Sequence, residues 1–455
     1  MSASSAYLRM LRYCIKKAKS QLHSSDPDFY SLSYSGWVGI GKTTAVLEYC
    51  KTHSGCFYFS FENMDEKLAI KMFAKKYPKV FTDCNNWEDF ATQLFRWCEN
   101  RNCVIFVDSF DNKKHNRFYE EIHKAFGNMK HRTVVMYIED QIYRYQFTPL
   151  HFGEIKKLFP NITDEEVVMI KAVTGGIASL VDLYHPEISF EENLKEFLKP
   201  NSYFCMLAPR IVKEYFRTPE SYNTLLYGIA TGKKRISELA ELSGYANNKC
   251  DKYIKSLMSA GLVKRIEFKS NKGTTQARYD MANEYFCFWY RYIFTHANYE
   301  NDEVFDAIMK YVKNILVKRV FRKECEYWLE KNYYAYWYTN AEFYFHDERC
   351  LRNVKLNGTT FDAVFQNYGD YIFVKYFDTI GEHCTKPDWD QIEEATTKFN
   401  RLENNTYILF SIHRFSEYCW KISSKYDNLR LVQMTSFLPT YEKIYLLPCR
   451  ISDDM

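Results

Sequence analysis

Eight consecutive residues, Gly36-Trp37-Val38-Gly39-Ile40-Gly41-Lys42-Thr43, constrain this chain more than any other stretch. They fill every position of G-x-x-x-x-G-K-[ST]. Glycines at 36, 39 and 41 let backbone N–H groups turn inward around phosphate oxygens, and the start of the following helix adds the positive end of its dipole. Lys42 is placed to reach the β- and γ-phosphates of a nucleoside triphosphate, and the Thr43 hydroxyl to ligate Mg²⁺. Thr44 completes the phosphate-side set. The motif demands an apolar strand before it and a helix after it, and residues 30–34 and 44–51 have those textures. A chance glycine-rich turn is a poor rival where motif and context agree.

Such a loop also needs a carboxylate at the tip of a nearby strand to hold the metal. Val104-Ile105-Phe106-Val107-Asp108 supplies it, with Asp108 as the metal-side ligand. Alone, the run reads as a strand ending in a turn aspartate; paired with the loop, the metal role is the stronger reading.

The rest of the chain fits around this pair. Short β-like runs at 30–34, 56–61, 103–107 and 133–138 alternate with helical patterns such as 44–51 and 87–99, which predicts a parallel sheet covered on both faces. A helical stretch over 164–198, interrupted at Gly175-Gly176, closes this part as a lid. Residues 236–242 and 247–260 read as two helices around a Ser243-Gly244 turn. Two β-like runs follow, 262–268 and 275–281, in the order of a winged helix-turn-helix. An aromatic helical connector containing FCFWYRYIF comes next. The chain ends in a second α/β region with strands over 360–365, 371–377 and 407–412. The expected boundaries are 1–200 for the P-loop core and lid, 201–300 for the winged helix and connector, and 301–455 for the last domain.

Composition excludes little else. At 455 residues, 46% hydrophobic and 26% charged, the chain is an ordinary globular one, and a net charge of +4 does not by itself argue for nucleic acid. Fourteen cysteines form no C-x-x-C pair, and several lie in apolar runs, which points to buried thiols in a reduced, cytoplasmic setting. No stretch approaches the roughly 20 apolar residues that span a bilayer, so no membrane partner is expected.

These motifs, in this order, resemble a family of P-loop ATPases first catalogued in archaea and related to the AAA+ and STAND classes. Its members join an ATPase core to a winged helix and a C-terminal domain like that of restriction endonucleases. The likeness rests on the loop, on Thr148-Pro149-Leu150 before a helix at 154–159, and on Thr174-Gly175-Gly176-Ile177, where the family usually continues with proline and this chain has Ala178. It extends through TPESYNTLLYGIATG, YDMANEYFCFWYRYIF and YILFSIHRF. The resemblance implies ATP rather than GTP as the nucleotide, Mg²⁺ as the metal, and leaves an oligomer open.

Two departures bear on catalysis. The family usually places Glu directly after the metal-side Asp to polarise the attacking water; here that position is Ser109. Loss of a general base commonly removes a factor of about 10²–10⁴ in rate. Asp111 is the nearest substitute. The strand over 133–138 should end in a small polar residue, and Glu139 and Asp140 follow it instead. Arg144 is a candidate arginine finger and equally reads as a surface arginine. The expectation is ATP binding with slow or absent turnover, a switch more than a motor; the alternative is an active ATPase coupled to DNA binding or nucleic-acid processing.

The two downstream domains set the partner question. Cys250, Ile254, Leu257 and Met258 should pack inward along the second helix. Asn247, Asn248, Lys249, Lys252 and Lys255 are left facing outward, with Lys264, Arg265, Lys269 and Lys272 on the hairpin. That face reads about equally as a DNA-binding surface or as one for protein contacts. In the last domain Asp362 matches the nuclease Asp and Lys375 the Lys of E-x-K, but the Glu position is Phe373; Glu324 or Glu326 corresponds to the family's early acidic residue. With one central carboxylate missing, the reading is a degenerate nuclease fold kept as a binding module, and Asp362 and Lys375 read almost as well as polar residues on a sheet rim.

Overall fold

The computed structural model of the chain describes residues 8, 11–12, 14–16, 18–19, 30–37, 39–111, 114–126, 133–139, 149–269, 275–329, 350–367, 370–382, 384–399 and 405–437. Asp140, Arg144, Thr148 and Lys272 lie outside them, as do the side chains of Glu139 and Lys269.

A four-stranded parallel sheet opens the chain: β1 (Tyr30–Ser35), β2 (Cys56–Ser60), β3 (Val104–Asp108) and β4 (Val134–Glu139), in the order β1-β4-β3-β2. Strand β3 is buried at all five positions, which its unbroken apolar run requires of a strand covered on both faces. Alternate residues feed two cores. Ile105 and Val107 face an aromatic cluster of Phe57, Phe59, Phe73, Trp87, Phe90 and Phe118. Val104 and Phe106 face Ala45, Val46 and Tyr49. The first cluster is built by α2 (Glu66–Lys76), α3 (Trp87–Cys98) and α4 (Asn116–Phe126). The second is built by α1 (Lys42–Thr52) together with the helices that follow. Leu8, Leu11, Cys14, Ile15 and Ala18, at helical spacing near the N-terminus, are buried in that second core.

The lid comprises α5 (Phe152–Leu158), α6 (Asp164–Thr174), α7 (Ala178–Val181), α8 (Phe190–Leu198) and α9 (Tyr203–Tyr215). Two of its helices start where the sequence says they must. Thr163 and Glu166 form a capping box on α6, and Ser189 and Glu192 form another on α8. Three helices follow, α10 (Pro219–Ala230), α11 (Ile236–Ser243) and α12 (Asn247–Ser259), and then the antiparallel hairpin of β5 (Val263–Lys269) and β6 (Thr275–Met281). Cys250, Ile254 and Leu257 of α12 are buried, Met258 is half-buried, and Asn247, Asn248, Lys249, Lys252 and Lys255 are exposed.

The aromatic connector is more irregular than a plain helix. Helix α13 (Glu284–Phe288) widens into a π turn over Trp289–Ile293, and α14 (Asp302–Tyr311) passes through a second π turn, Val312–Leu316, into α15 (Val317–Trp328). Tyr285, Phe286, Phe288, Trp289 and Tyr290 are core, and three polar tips are satisfied: Tyr285 OH donates to the Phe204 carbonyl at 2.6 Å, Trp289 Nε1 to the Cys205 carbonyl at 2.8 Å, and Tyr290 OH to Asn223 Oδ1 at 2.7 Å.

The C-terminal sheet has five strands in the order β11-β10-β9-β8-β7. These are β7 (Cys350–Leu356), β8 (Thr359–Asn367), β9 (Asp370–Phe377), β10 (Asn405–Ser411) and β11 (Leu429–Gln433), with α16 (Lys386–Phe399) and α17 (Glu417–Ser423) between the later ones. Strands β7 to β9 run antiparallel, and β9 to β11 parallel. Both edge strands are missing from the sequence reading. Strand β7 carries Arg352, Asn353 and Lys355, exposed as edge positions allow, and β11 spans only five residues.

Helix α15 ties these parts together through charge. Arg319 reaches Asp280 and Glu284, Arg322 reaches Asp378 and Asp362, Lys323 reaches Glu284, and Glu324 reaches His151 and Lys171. Gln433 Nε2 donates to Asp164 Oδ2 at 2.8 Å and His413 lies 3.3 Å from Glu165, so the C-terminal sheet also meets the first turn of α6 directly.

Candidate functional site

The loop between β1 and α1 has the shape its glycines predict. Gly39 and Gly41 adopt φ of 81° and 103°, left-handed values that side chains disfavour. Gly39 is also a close-approach site: a Cβ there would stand 2.8 Å from Ser179 Oγ and 2.9 Å from Tyr203 OH. The lid therefore presses on the loop, and Ser179 N–H donates to the Gly39 carbonyl at 3.2 Å. Lys42 is buried and its ammonium donates to the carbonyls of Gly36 and Trp37, the latter at 3.1 Å. Thr44 is exposed at the start of α1.

Thr43 and Asp108, 65 residues apart, meet as the motif requires. Thr43 Oγ1 donates to Asp108 Oδ2 at 2.7 Å, and Asp108 is buried. The strand order explains the reach, because β3 ends at the same edge of the sheet from which the loop leaves β1, with β4 between them. A hydroxyl and a carboxylate joined in this way, beside a lysine and a helix start, are a hard-oxygen donor set that fits Mg²⁺ held together with phosphates.

A third residue joins them that sequence reasoning missed. Tyr58 OH donates to the same Asp108 Oδ2 at 2.8 Å. Burial pushes its phenol pKa up, and the neighbouring Asp108 charge pushes it further. The backbone of Tyr58 is held by its neighbours: its N–H donates to Tyr77 OH and its carbonyl accepts from Lys76 Nζ, both at 2.8 Å. These contacts also cover polar groups of β2, the strand at the sheet edge. The only advance signal was its place on the same strand face as Ser60, two residues from the strand tip.

The residues after Asp108 turn away. Ser109 has φ of 55° and its N–H donates to Asp108 Oδ1 at 2.8 Å, while Phe110 N–H pairs with the Ile138 carbonyl at 3.0 Å. Asp111 is engaged inside its own turn: its N–H donates to His115 Nδ1 at 3.0 Å and its carboxylate lies 3.5 Å from Lys114 Nζ.

The C-terminal residues are arranged otherwise than the sequence reading has them. Glu324 does not join Asp362 and Lys375. It is buried between His151 Nδ1, at 2.7 Å, and Lys171 Nζ. Burial works against its charge, but the two partners outweigh it and hold the carboxyl near a pKa of about 2. Asp362 accepts Tyr376 N–H at 2.7 Å and lies 3.3 Å from Arg322 Nη2, while Lys375 Nζ donates to the Thr360 carbonyl at 3.0 Å. Arg322 Nε also binds Asp378 at 2.7 Å. One guanidinium therefore bridges the carboxylates of Asp362 and Asp378. Among the described residues no group of three His, Cys, Asp or Glu is arranged to hold a metal ion.

On the hairpin, Arg265 is exposed, but Lys264 is half-buried among Asp280, Arg319 and Lys323, and desolvation lowers its pKa. Among the described residues no helix is long and apolar enough to cross a membrane.

The parallel sheet, with a glycine-rich loop leading from β1 into α1, defines an α/β protein. No protein-family model matches the chain. It is 22% identical over 321 residues to Uncharacterized protein MJECL04 of Methanocaldococcus jannaschii, covering 64% of this chain and 70% of that one. Among solved structures it is similar to the Aeropyrum pernix ORC1 protein in complex with DNA, at TM-score 0.30 and 11% identity over 69% of this chain and 93% of that one. It is also similar to the Thermotoga maritima RuvB Holliday junction branch migration motor, at TM-score 0.26 and 12% identity over 56% and 88%.

Proposed function

We propose that this chain binds ATP with Mg²⁺ on the loop over 36–43 and acts as a nucleotide-dependent switch with slow or absent hydrolysis. The observation that carries the reading is the Thr43–Asp108 hydrogen bond at the start of a helix whose preceding loop has the left-handed glycines a phosphate needs. Gly36, Gly39, Gly41, Lys42, Thr43 and Thr44 would hold the phosphates, with Thr43 and Asp108 on the metal side. Slow turnover is supported by Ser109 in the general-base position and by the engagement of Asp111 with Lys114 and His115.

The switch output is the unit formed by α10, α11, α12 and the hairpin, read as a winged helix, with the C-terminal domain as a docking module. The exposed Asn247, Asn248, Lys252, Lys255 and Arg265 offer the surface for DNA or a protein partner. Duplex binding with a steep salt slope would assign that surface to DNA.

The test is ATP affinity and turnover measured together on the purified chain with Mg²⁺, with Lys42→Ala as control. Tight binding lost in the variant, with little turnover in the wild type, is the expected result. Unchanged affinity in Lys42→Ala would remove the site assignment. Turnover of several per minute would favour an active ATPase with Asp111 as the base.

A further inference from the structure

Asp108 carries more hydrogen bonds than a metal-side carboxylate needs. The geometry points to Tyr58 as a latch on Asp108 Oδ2 that competes with incoming Mg²⁺ for that oxygen and so raises the metal requirement of the site. The inference rests on the P-loop reading above. A carboxylate offers about four lone-pair sites, two on each oxygen. On Oδ2, Thr43 Oγ1 and Tyr58 OH take both, at 2.7 and 2.8 Å; on Oδ1, Ser109 N–H takes one.

The three donors are not equivalent. The Thr43 bond is compatible with metal binding, because a hydroxyl ligates through its oxygen while giving its proton to a carboxylate. Ser109 N–H is a backbone group on the other oxygen. Tyr58 is different: its phenol is a neutral side-chain donor that sits on Oδ2 beside Thr43. It stands where a cation, or a water bound to one, would approach Oδ2. The two cannot share that direction.

The latch is anchored at its base and has somewhere to go at its tip. Strand β2 and helix α2 hold the Tyr58 backbone through Tyr77 and Lys76, and the Lys76 ammonium lies 4.5 Å from the ring centroid. Ser60, two residues along, lies on the same strand face as Tyr58 and is the nearest hydroxyl on β2 toward the strand tip. Metal binding thus moves one hydroxyl at the edge strand and leaves the ring packed.

Tyr58→Phe removes the hydroxyl alone. Two quantities are read with a fluorescent ATP analogue: affinity in EDTA, and the Mg²⁺ concentration that gives half of the metal-dependent gain. A hydrogen bond to a charged acceptor is strong enough that its loss should lower the Mg²⁺ half-saturation about tenfold. Affinity in EDTA should stay within about twofold, which a merely structural defect would not leave intact. In an Asp108→Asn background the gain from Tyr58→Phe should vanish. A half-saturation that is unchanged or raised, or a gain that persists without Asp108, overturns the latch. Failure of the wild-type chain to bind the analogue under either condition overturns the P-loop reading instead.

Discussion

Trp37 Nε1 donates a hydrogen bond of 3.0 Å to the carbonyl oxygen of Ala260, the residue that ends α12. The partners are 223 residues apart, and the indole also meets Phe286 edge-on at 5.4 Å. A residue at a variable position of the phosphate loop is thus fixed to the end of the helix proposed to face a partner. The loop and that helix share one buried contact, so a change in loop conformation has a direct mechanical route to α12. Trp37→Phe keeps an aromatic ring and removes the donor. It should cost about 1 kcal/mol in denaturant unfolding. It should also abolish any nucleotide-dependent change in amide exchange at 257–262 while nucleotide affinity persists. Retention of that exchange response would show that the coupling runs elsewhere.

Glu324 is the buried link between α15 and the lid, and it should be among the costliest single charges to remove. Glu324→Gln leaves Lys171 buried beside a neutral group, and breaking a buried pair from one side costs about 3–5 kcal/mol. The pH dependence follows from the same pair. The folded carboxyl sits at about 2, below its ordinary 4.5, so the stabilisation is complete above pH 4.5 and is lost as pH falls toward 2. His123 acts earlier on the acid side. Burial against Tyr119 lowers its pKa from 6.5 to about 4, so the folded state resists its protonation and stability falls as pH drops from 6.5 to 4. Urea titrations at pH 7.5, 5.5 and 4 should show the early loss in the wild type and a flatter response in His123→Phe.

How much of this was legible beforehand depends on the range of each determinant. The loop, its helix and the Asp108 strand are local patterns of glycine, charge and apolar run, and all three were readable along the chain. The strands β1 to β4 were placed within a residue or two because β2, β3 and β4 are short apolar runs and β1 alternates serine with larger side chains. Tyr58 was not readable, since a tyrosine in the run CFYFS looks like any strand aromatic until β2 is set beside β3. The role of Glu324 at the lid was not readable for a related reason. Its partners His151 and Lys171 lie 173 and 153 residues away, and nothing local marks the face of α15 that turns toward the lid. The edge strand β7 escaped because edge positions tolerate the charged residues that hide a strand pattern.

Arg322 supplies the positive charge shared by Asp362 and Asp378. Asp362 has its pKa raised by burial, and Asp378 is 5% exposed, so neither carboxylate is well solvated without the guanidinium. Arg322→Ala should destabilise the chain by about 1–3 kcal/mol, tempered by the partial exposure of the arginine. It should not create Mg²⁺-dependent cleavage of duplex or single-stranded DNA, because among the described residues no group of three His, Cys, Asp or Glu is arranged to hold a metal ion. Thermal melting and a nicking assay on the same preparation check both halves, and metal-dependent cleavage by the variant would contradict the docking role.

Ser109→Glu tests whether the lack of a carboxylate after Asp108 alone accounts for the slow turnover proposed above. Restoring a general base is worth about 10²–10⁴ in rate when it is correctly placed. Here the backbone works against it. Ser109 sits at φ of 55°, and its N–H is locked on Asp108 Oδ1, so a glutamate would inherit a left-handed conformation that costs roughly 1–3 kcal/mol. It would also place a second carboxylate beside a buried one. The expected outcome is a melting temperature a few degrees lower, nucleotide affinity within a few-fold of wild type, and a rise in turnover of less than about 10². A larger rise would mean that the turn after β3 can already present a base to water, and that the serine side chain alone separates the proposed switch from an active ATPase.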